Sequence, residues 1–356
     1  MEILLKSLWF CFFLFFNSVS AQEIIIEEFT LKSHDGIKLS GQIEYPNIHG
    51  KLPATILVWG NGPHTRDQKI SGTPMFKIIS KELTNQGLVV LRMDKRGFGE
   101  SSVKYKNSES DYTTFDLKSD IDIAIDYLKK HEKVDSTKIG LIGHSEGAMI
   151  ASILASENKV SWNIQIGPPA VSGIEIDEEQ SRKNRIKLGI PDSTSINIGK
   201  SFNTYRDYIK NDFTNDSIHY ALGKKFLIAH GMDENDERIT PNLIDQLIGG
   251  FRNKWQQGFY RIDMRKYHSK IKAPTLAIFG SHDENVSIDQ NLNELNNSLK
   301  EAENTNYKIE VLSDSDHFFL TYNGNRLEKH KNGQMEVSEK LILSILSWLK
   351  ESQIIN

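Results

Sequence analysis

The order of elements along the chain predicts an α/β protein. Its core would be a mainly parallel central sheet flanked by helices on both faces. Three observations predict it. Short β-rich runs, such as residues 55–59 (TILVW), 139–142 and 275–279 (TLAIF), alternate with segments of helical period. Glycine loops follow several of these runs, on the sheet edge where open α/β folds build their sites. The alternation breaks only once, between about residues 172 and 272, in a polar stretch rich in Asn, Asp, Lys and Arg.

Residues 24–45 read as two strands around the turn Asp35-Gly36, a strong hairpin signal. The strand 55–59 follows, then an amphipathic helix at 76–86 that leads through Gly87 into a strand at 88–92. A helix over about 116–130 buries one face carrying Ile121, Ile123, Ala124, Ile125 and Leu128. The strand 139–142, a helix from Glu146 and a strand at 162–166 complete the first half, as right-handed βαβ units. After the interruption, which reads as mostly helical, the pattern resumes at Ala273-Pro274. It continues with the strand 275–279, a helix near 288–300, a strand at 307–312 and a last helix at 337–349. The expected organisation is a signal peptide (1–21), the first part of the core (22–171), an insertion (172–272) and the second part of the core (273–356).

With 356 residues, 38% hydrophobic and 25% charged, the chain falls in the globular range. That excludes collagen-like, low-complexity and multi-spanning membrane proteins. A formal charge of −4, from 43 basic and 47 acidic residues, gives no electrostatic case for a nucleic-acid partner. At the N-terminus, Lys6 precedes an apolar run over residues 8–16, and Val19-Ser20-Ala21 fits a signal-peptidase site before Gln22. The run is shorter than the roughly 20 residues that span a bilayer. Export to the periplasm or the medium is therefore expected, with no stable membrane insertion after cleavage. Cys11 is the single cysteine and would leave with the signal. A disulfide, a cysteine nucleophile and a thiolate metal site are then all excluded.

Residues 143–147 read GHSEG, a match to G-x-S-x-G. The bare pattern is weak; its place between a strand and a helix makes it strong. There the serine sits on a tight turn that exposes its hydroxyl, and the helix N-terminus lends a positive field to an oxyanion. Ser145 is the candidate nucleophile and the Glu146 N–H the candidate oxyanion donor. A serine needs a base, and the base an orienting acid, in the chain order Ser, acid, His. Of eleven histidines only His317 and His330 follow the last β/α return, and His330 lies in a lysine-rich polar stretch. His317, just past a strand, is the candidate base. Asp283, in GSHDENV directly after TLAIF, is the candidate acid, with Glu284 its nearest rival and Asp314 and Asp316 read as turn residues. An Asx-type turn is the structural alternative for Asp283. Asn61, with Gly62 next, is the candidate for the second oxyanion N–H, in a loop that Arg66-Asp67 would orient as a charge pair. Residues 94–101 read as a structural turn held by Asp94 and Arg96.

On these motifs the chain resembles the α/β-hydrolase superfamily, most closely the bacterial serine carboxylesterases that carry a G-x-G-P-x-x-R-D loop. Here that loop is GNGPHTRD, residues 60–67, and DKRGFGES, GHSEG, GSHDENV and DSDH follow in the family's order. Where the family often has His-Gly or Ser-Gly before the oxyanion loop, this chain has Trp59-Gly60. The resemblance implies an α/β-hydrolase fold with a mainly helical cap over Ser145. It implies hydrolysis of small-molecule acyl esters through a Ser-His-Asp triad, without metal or organic cofactor. Tyr205, Tyr208, Trp255, Phe259 and Tyr260 are candidate walls of an acyl pocket, or else pack the cap onto the sheet. A secreted peptidase resembling the prolyl oligopeptidase branch is the first rival, with residues 233–237 (DENDE) either holding a peptide amine or forming a solvated loop. A non-catalytic binder that kept the fold is the second. A metal hydrolase is rejected, because His64, His230, His268 and His282 show no ligand spacing. No sequence signal bears on oligomeric state.

Overall fold

Gly36, at positive φ, turns the chain between strands β1 (Ile24–Lys32) and β2 (Lys38–Pro46), which pair antiparallel along their whole length. This hairpin opens the computed structural model, which describes residues 23–101, 111–321 and 335–355. Residues 1–21, expected as a signal peptide and including Cys11, and His330 lie outside the described residues. The chain continues with β3 (Leu52–Val58), a two-residue pair β4 (Lys69–Ile70) and β5 (Thr73–Pro74), helix α1 (Met75–Asn85) and strand β6 (Val89–Met93). Next come α2 (Thr114–Leu128), β7 (Val134–His144), α3 (Glu146–Ser156) and β8 (Trp162–Ile166).

Six helices then intervene: α4 (Gly173–Lys187), α5 (Asp192–Asn211), α6 (Asp216–Ala229), α7 (Pro241–Ile248), α8 (Lys254–Arg261) and α9 (Arg265–His268). The chain returns through β9 (Thr275–Gly280), α10 (Ile288–Glu301) and β10 (Tyr307–Leu312). It ends with a short pair, β11 (Leu320–Thr321) and β12 (Glu336–Val337), and α11 (Glu339–Glu351). Eight strands form one sheet in the order β1-β2-β6-β3-β7-β8-β9-β10, with every pair from β6 to β10 parallel. The central strands β6 and β8 are buried at every residue, as parallel strands covered on both faces must be. Helix α3 packs on β7 and β8, and α1 meets α11.

β7 starts at Val134, five residues before the apolar run that announces it. Leu52 pairs with Val134 across an irregularity in the β3–β7 ladder, and the partly or wholly exposed Asp135, Ser136, Thr137 and Lys138 hide this extension from an apolar pattern. The helices between β8 and β9 hold a second apolar cluster around Phe202, Tyr205, Tyr208 and Phe259, and Met149 and Ile153 of α3 belong to it. Both α2 and α4 open with reciprocal caps, Thr113 with Asp116 and Ser172 with Glu175.

Arg66 and Asp67 do not pair with each other. Arg66 takes Asp94 through Nε and Nη2, together with Glu28 and Glu100, whereas Asp67 takes Arg92, which also holds Glu44. Asp94 also accepts the Glu100 N–H, and Arg96 grips the buried Asp120 of α2 with two hydrogen bonds of 2.6 and 2.7 Å. Burial pushes Asp120 up to about 6 against the opposing pull of Arg96. Removing one partner of such a pair strands a charge, whereas removing both does not. Arg96→Met is expected to lower unfolding free energy by roughly 3–5 kcal/mol in urea titrations, and Arg96→Met/Asp120→Leu to recover most of it.

Candidate active site

Ser145 sits between β7 and α3 at φ 56 and ψ −116, a conformation that L-residues rarely hold. Close approach enforces the turn. A Cβ on Gly143 would lie 2.1 Å from the Gly147 carbonyl oxygen, and one on Gly147 would lie 2.0 Å from the Val58 carbonyl oxygen. Only glycine fits at either position. The Ser145 N–H donates to Ile166 O at 2.9 Å, which ties the turn to the end of β8.

His317 and Asp283 lie beside this turn. His317 Nδ1 donates to Asp283 Oδ2 at 2.7 Å, and both side chains are almost fully buried. The other carboxylate oxygen accepts the N–H groups of Asn285 and Val286 at 2.9 and 2.7 Å. Asp283 therefore forms the Asx-type turn and orients the histidine at once. With its Nδ1 bearing the proton, His317 keeps a basic Nε2, and His317 and Ser145 line the same cavity. Among the described residues no hydrogen bond joins the Ser145 hydroxyl to the ring, as is common where such a contact tightens only with substrate bound. Glu284 instead forms a surface pair with Lys187, and Asp316 caps the Phe318 N–H.

The loop after β3 is clamped at almost every peptide group. The Gly60 N–H donates to Gln68 Oε1, and the Gly60 and Gly62 carbonyls each accept from Lys95 Nζ at 3.2 Å. The Asn61 carbonyl accepts from His64 Nε2. The Gly62 N–H donates to the Asn61 side chain at 2.8 Å, so Gly62 is not an oxyanion donor, contrary to the sequence expectation. Its neighbour's short amide captures it first. Among the described residues, no acceptor lies on the Asn61 N–H or on the Glu146 N–H at the start of α3. Asn61, Glu146 and Ser145 line one common cavity.

Four side chains that sequence reasoning did not assign support this frame. His144 Nε2 donates to the His317 carbonyl at 2.8 Å, and its Nδ1 accepts from Gln68 Nε2 at 3.1 Å. Full burial, and then the neighbouring His317, push the His144 ring down to about 3, so it stays neutral. Burial and Lys95 likewise hold His64 down at about 4. Lys95 itself is wholly buried, beside Glu146 Oε2 at 3.4 Å. A glutamine eight residues from Gly60 and a lysine on another loop carry no local signature. Of the other histidines weighed as ligands, His268 is buried beside Ser152, and His230 bonds the Phe226 carbonyl.

Two cavities meet at Ser145. One, of about 280 Å³, is lined by Gly60, His64, Ile70, His144, Asn285, His317 and Phe318. The other, of about 240 Å³, lies under the inserted helices against Met149, Ile176, Trp255, Phe259 and Val286. Trp255 and Phe259 stack in parallel at 5.1 Å and line the second cavity. Tyr260 is not among the residues that line it: it is 1% exposed, and its hydroxyl donates to Asp177, which does line the cavity. Tyr205 and Tyr208 are buried in the cap's own apolar cluster.

A family model described as serine aminopeptidase, S33, matches residues 74–173. Esterase EstD of Thermotoga maritima is 27% identical over 315 residues, which cover 87% of this chain. The chain spans 65% of the length of that curated relative. Among solved structures, the esterase Pf2001 of Pyrococcus furiosus superposes with a TM-score of 0.53 at 17% identity, covering 92% of this chain and 93% of that one. The α/β hydrolase GrgF from Penicillium sp. sh18 gives 0.54 at 15% identity, with 92% and 98% covered. Together with the sheet order, these likenesses establish that the chain has the α/β-hydrolase fold.

A neutral buried His144 links stability to pH. Its ordinary value near 6.5 applies in the unfolded chain, so between pH 6.5 and about 3 the unfolded state binds the extra proton and stability falls as pH falls. Replacing it by His144→Gln is expected to flatten the slope of unfolding free energy between pH 6 and 4 by about 1.4 kcal/mol per pH unit. Denaturant titrations of both proteins across that range measure it.

Proposed function

We propose that the chain is a serine hydrolase that cleaves small carboxylic esters through an acyl-enzyme. One observation carries the reading. A serine held at positive φ shares a cavity with Asn61 and Glu146, whose N–H groups have no acceptor among the described residues, beside a histidine whose Nδ1 is fixed on a buried carboxylate.

In this mechanism His317 Nε2 takes the proton of the Ser145 hydroxyl as Oγ attacks the ester carbonyl. The carbonyl oxygen becomes an oxyanion between the Glu146 and Asn61 N–H groups, and Asp283 stabilises the imidazolium. Collapse breaks the carbon–oxygen bond of the ester, and His317 returns its proton to the departing alcohol. Water, deprotonated by His317, then attacks the acyl carbon and releases the acid, and the proton passes back to Ser145. The alcohol must leave from the His317 side, so the 280 Å³ cavity takes the alcohol and the cavity under Trp255 and Phe259 takes the acyl group.

The cap-side cavity, at about 240 Å³, suits short acyl chains. A second reading, aminopeptidase action, is favoured by the description of the matching family model. A peptide α-amine needs an anion to hold it. The two carboxylates on the acyl side, Glu146 and Asp177, already face Lys95 and Arg206, which supports the ester reading. In the same reading residues 1–21 direct export, and the enzyme works in the periplasm or outside the cell.

Ser145→Ala is expected to abolish p-nitrophenyl butyrate hydrolysis and fluorophosphonate labelling while the circular dichroism spectrum is kept. Turnover that survives this change rejects the mechanism, and faster release from aminoacyl-arylamides than from aryl esters favours the peptidase. Trp255→Ala opens the acyl side. It is expected to shift kcat/KM from butyrate towards octanoate esters by roughly tenfold, the scale of one or two methylenes in an apolar pocket. An equal effect on all chain lengths would remove Trp255 from chain-length selection and leave it the indole bond to Glu146 and packing.

A further inference from the structure

Lys95 follows β6 and is 0% exposed, yet it is a cation 51 residues in sequence from the carboxylate it meets. Burying an ammonium is unfavourable, and an apolar side chain of similar length would fill the space at no electrostatic cost. What the ammonium does there is specific. Nζ donates to Gly60 O and Gly62 O at 3.2 Å each and reaches Glu146 Oε2 at 3.4 Å, with the Tyr112 ring 5.8 Å away. Both carbonyls flank Asn61.

The Gly60 carbonyl and the Asn61 N–H belong to one peptide plane. In a trans peptide they point in opposite directions. A cation that draws the Gly60 oxygen inward therefore turns the Asn61 N–H outward, and polarises it as a donor. The other arm of the pair is the side chain of Glu146, whose own N–H is the second unpaired donor. That carboxylate is fixed on its far side too, since Oε1 accepts from Thr114 Oγ1 and from the Trp255 indole N–H, each at 2.8 Å. One buried ion pair thus holds both donors, from two different loops, at a set separation.

Resting on the ester-hydrolase reading, we infer that Lys95 and the Glu146 carboxylate are positioning residues that set the spacing and direction of the two oxyanion donors. They touch no substrate. The pair acts through backbone N–H groups whose hydrogen bonds strengthen only as the carbonyl oxygen gains charge. Its loss should therefore appear in kcat and leave KM nearly alone.

The experiment compares wild type, Lys95→Met and Lys95→Met/Glu146→Gln, each normalised to active sites titrated with a fluorophosphonate. For Lys95→Met we expect kcat on p-nitrophenyl butyrate to fall by about 10²-fold, the scale of losing one oxyanion donor, with KM changed by less than about threefold. Inhibition by butylboronic acid, whose tetrahedral adduct on Ser145 places an oxygen between the donors, should weaken in the same proportion. Lys95→Met leaves Glu146 buried without its cation and is expected to melt lower. The double variant removes both charges, and should recover melting temperature but not kcat or boronate affinity. The inference is overturned if kcat per titrated site stays within about twofold of wild type in Lys95→Met. It is equally overturned if the double variant regains kcat together with stability, since the pair would then only support folding. A wild-type protein that neither labels nor hydrolyses aryl esters would instead reject the ester-hydrolase reading itself.

Discussion

The site depends on how closely the ends of β3 and β7 approach each other. Val58 pairs with Gly143 in the parallel register, and the turn after β7 passes so near the end of β3 that Gly147 sits against the Val58 carbonyl. That approach leaves no volume for a side chain at Gly147, and the turn itself leaves none at Gly143, where a Cβ would meet the Gly147 carbonyl. The approach also makes the loop after β3 the immediate neighbour of the N-terminus of α3, so Asn61 and Glu146, far apart in sequence, line one cavity with Ser145. The strained backbone at Ser145 is held by contacts on three sides: β3, the end of β8 through the Ile166 carbonyl, and helix α3. Strain of this kind persists only where the surroundings over-determine it.

Electrostatic order at the site follows from keeping some groups neutral and others paired. The His144 and His317 rings lie 4.9 Å apart. In the proposed mechanism His317 carries a proton in the transition state, and a second imidazolium at that distance would oppose it. Burial removes the conflict, because His144 stays neutral and spends its single N–H on the His317 carbonyl. Gln68 completes the circuit, accepting from the Gly60 N–H and donating to His144. The histidine loop and the oxyanion loop are therefore joined through two neutral side chains, while Lys95 and Glu146 neutralise each other beneath the donors.

Much of this was legible in the sequence, because the fold class and the candidate triad rest on local signals. A strand-turn-helix around GHSEG, an acid in the loop after TLAIF and a histidine past the last strand need only chain order and sheet-edge logic. What escaped were long-range partners. Lys95 looks like any surface lysine in DKRGFGES until the fold lays it under Gly60 and Gly62. Gln68 has no pattern at all. Gly62 was weighed as a donor because a peptide N–H is anonymous in sequence, and only the geometry shows the Asn61 amide capturing it. Tyr260 was weighed as a pocket wall or a packing residue from its residue type; it is buried, with its hydroxyl on Asp177. The start of β7 was missed because Asp135 to Lys138 are partly or wholly exposed and lie across the irregularity in the β3–β7 ladder, where no apolar alternation is required.

The inserted helices do more than roof the cavity, because their attachments fall on the site itself. Trp255 donates to Glu146, Gln180 to the Asn285 carbonyl, and Lys187 pairs with Glu284. Asn285 and Glu284 stand beside Asp283, and Glu146 stands beside Ser145. The inserted helices are thus fastened next to Asp283 and next to Ser145, not at a distance from them. Of the three fastenings, the Lys187–Glu284 pair is about half exposed and contributes little, whereas the indole bond reaches a buried carboxylate and is sheltered from water. Movement of α8 that opened the acyl cavity would first have to break that bond, leaving Glu146 held by Thr114 and Lys95 alone. The seating of the inserted helices and the turn at Ser145 are in this way linked through a single side chain, the Glu146 carboxylate.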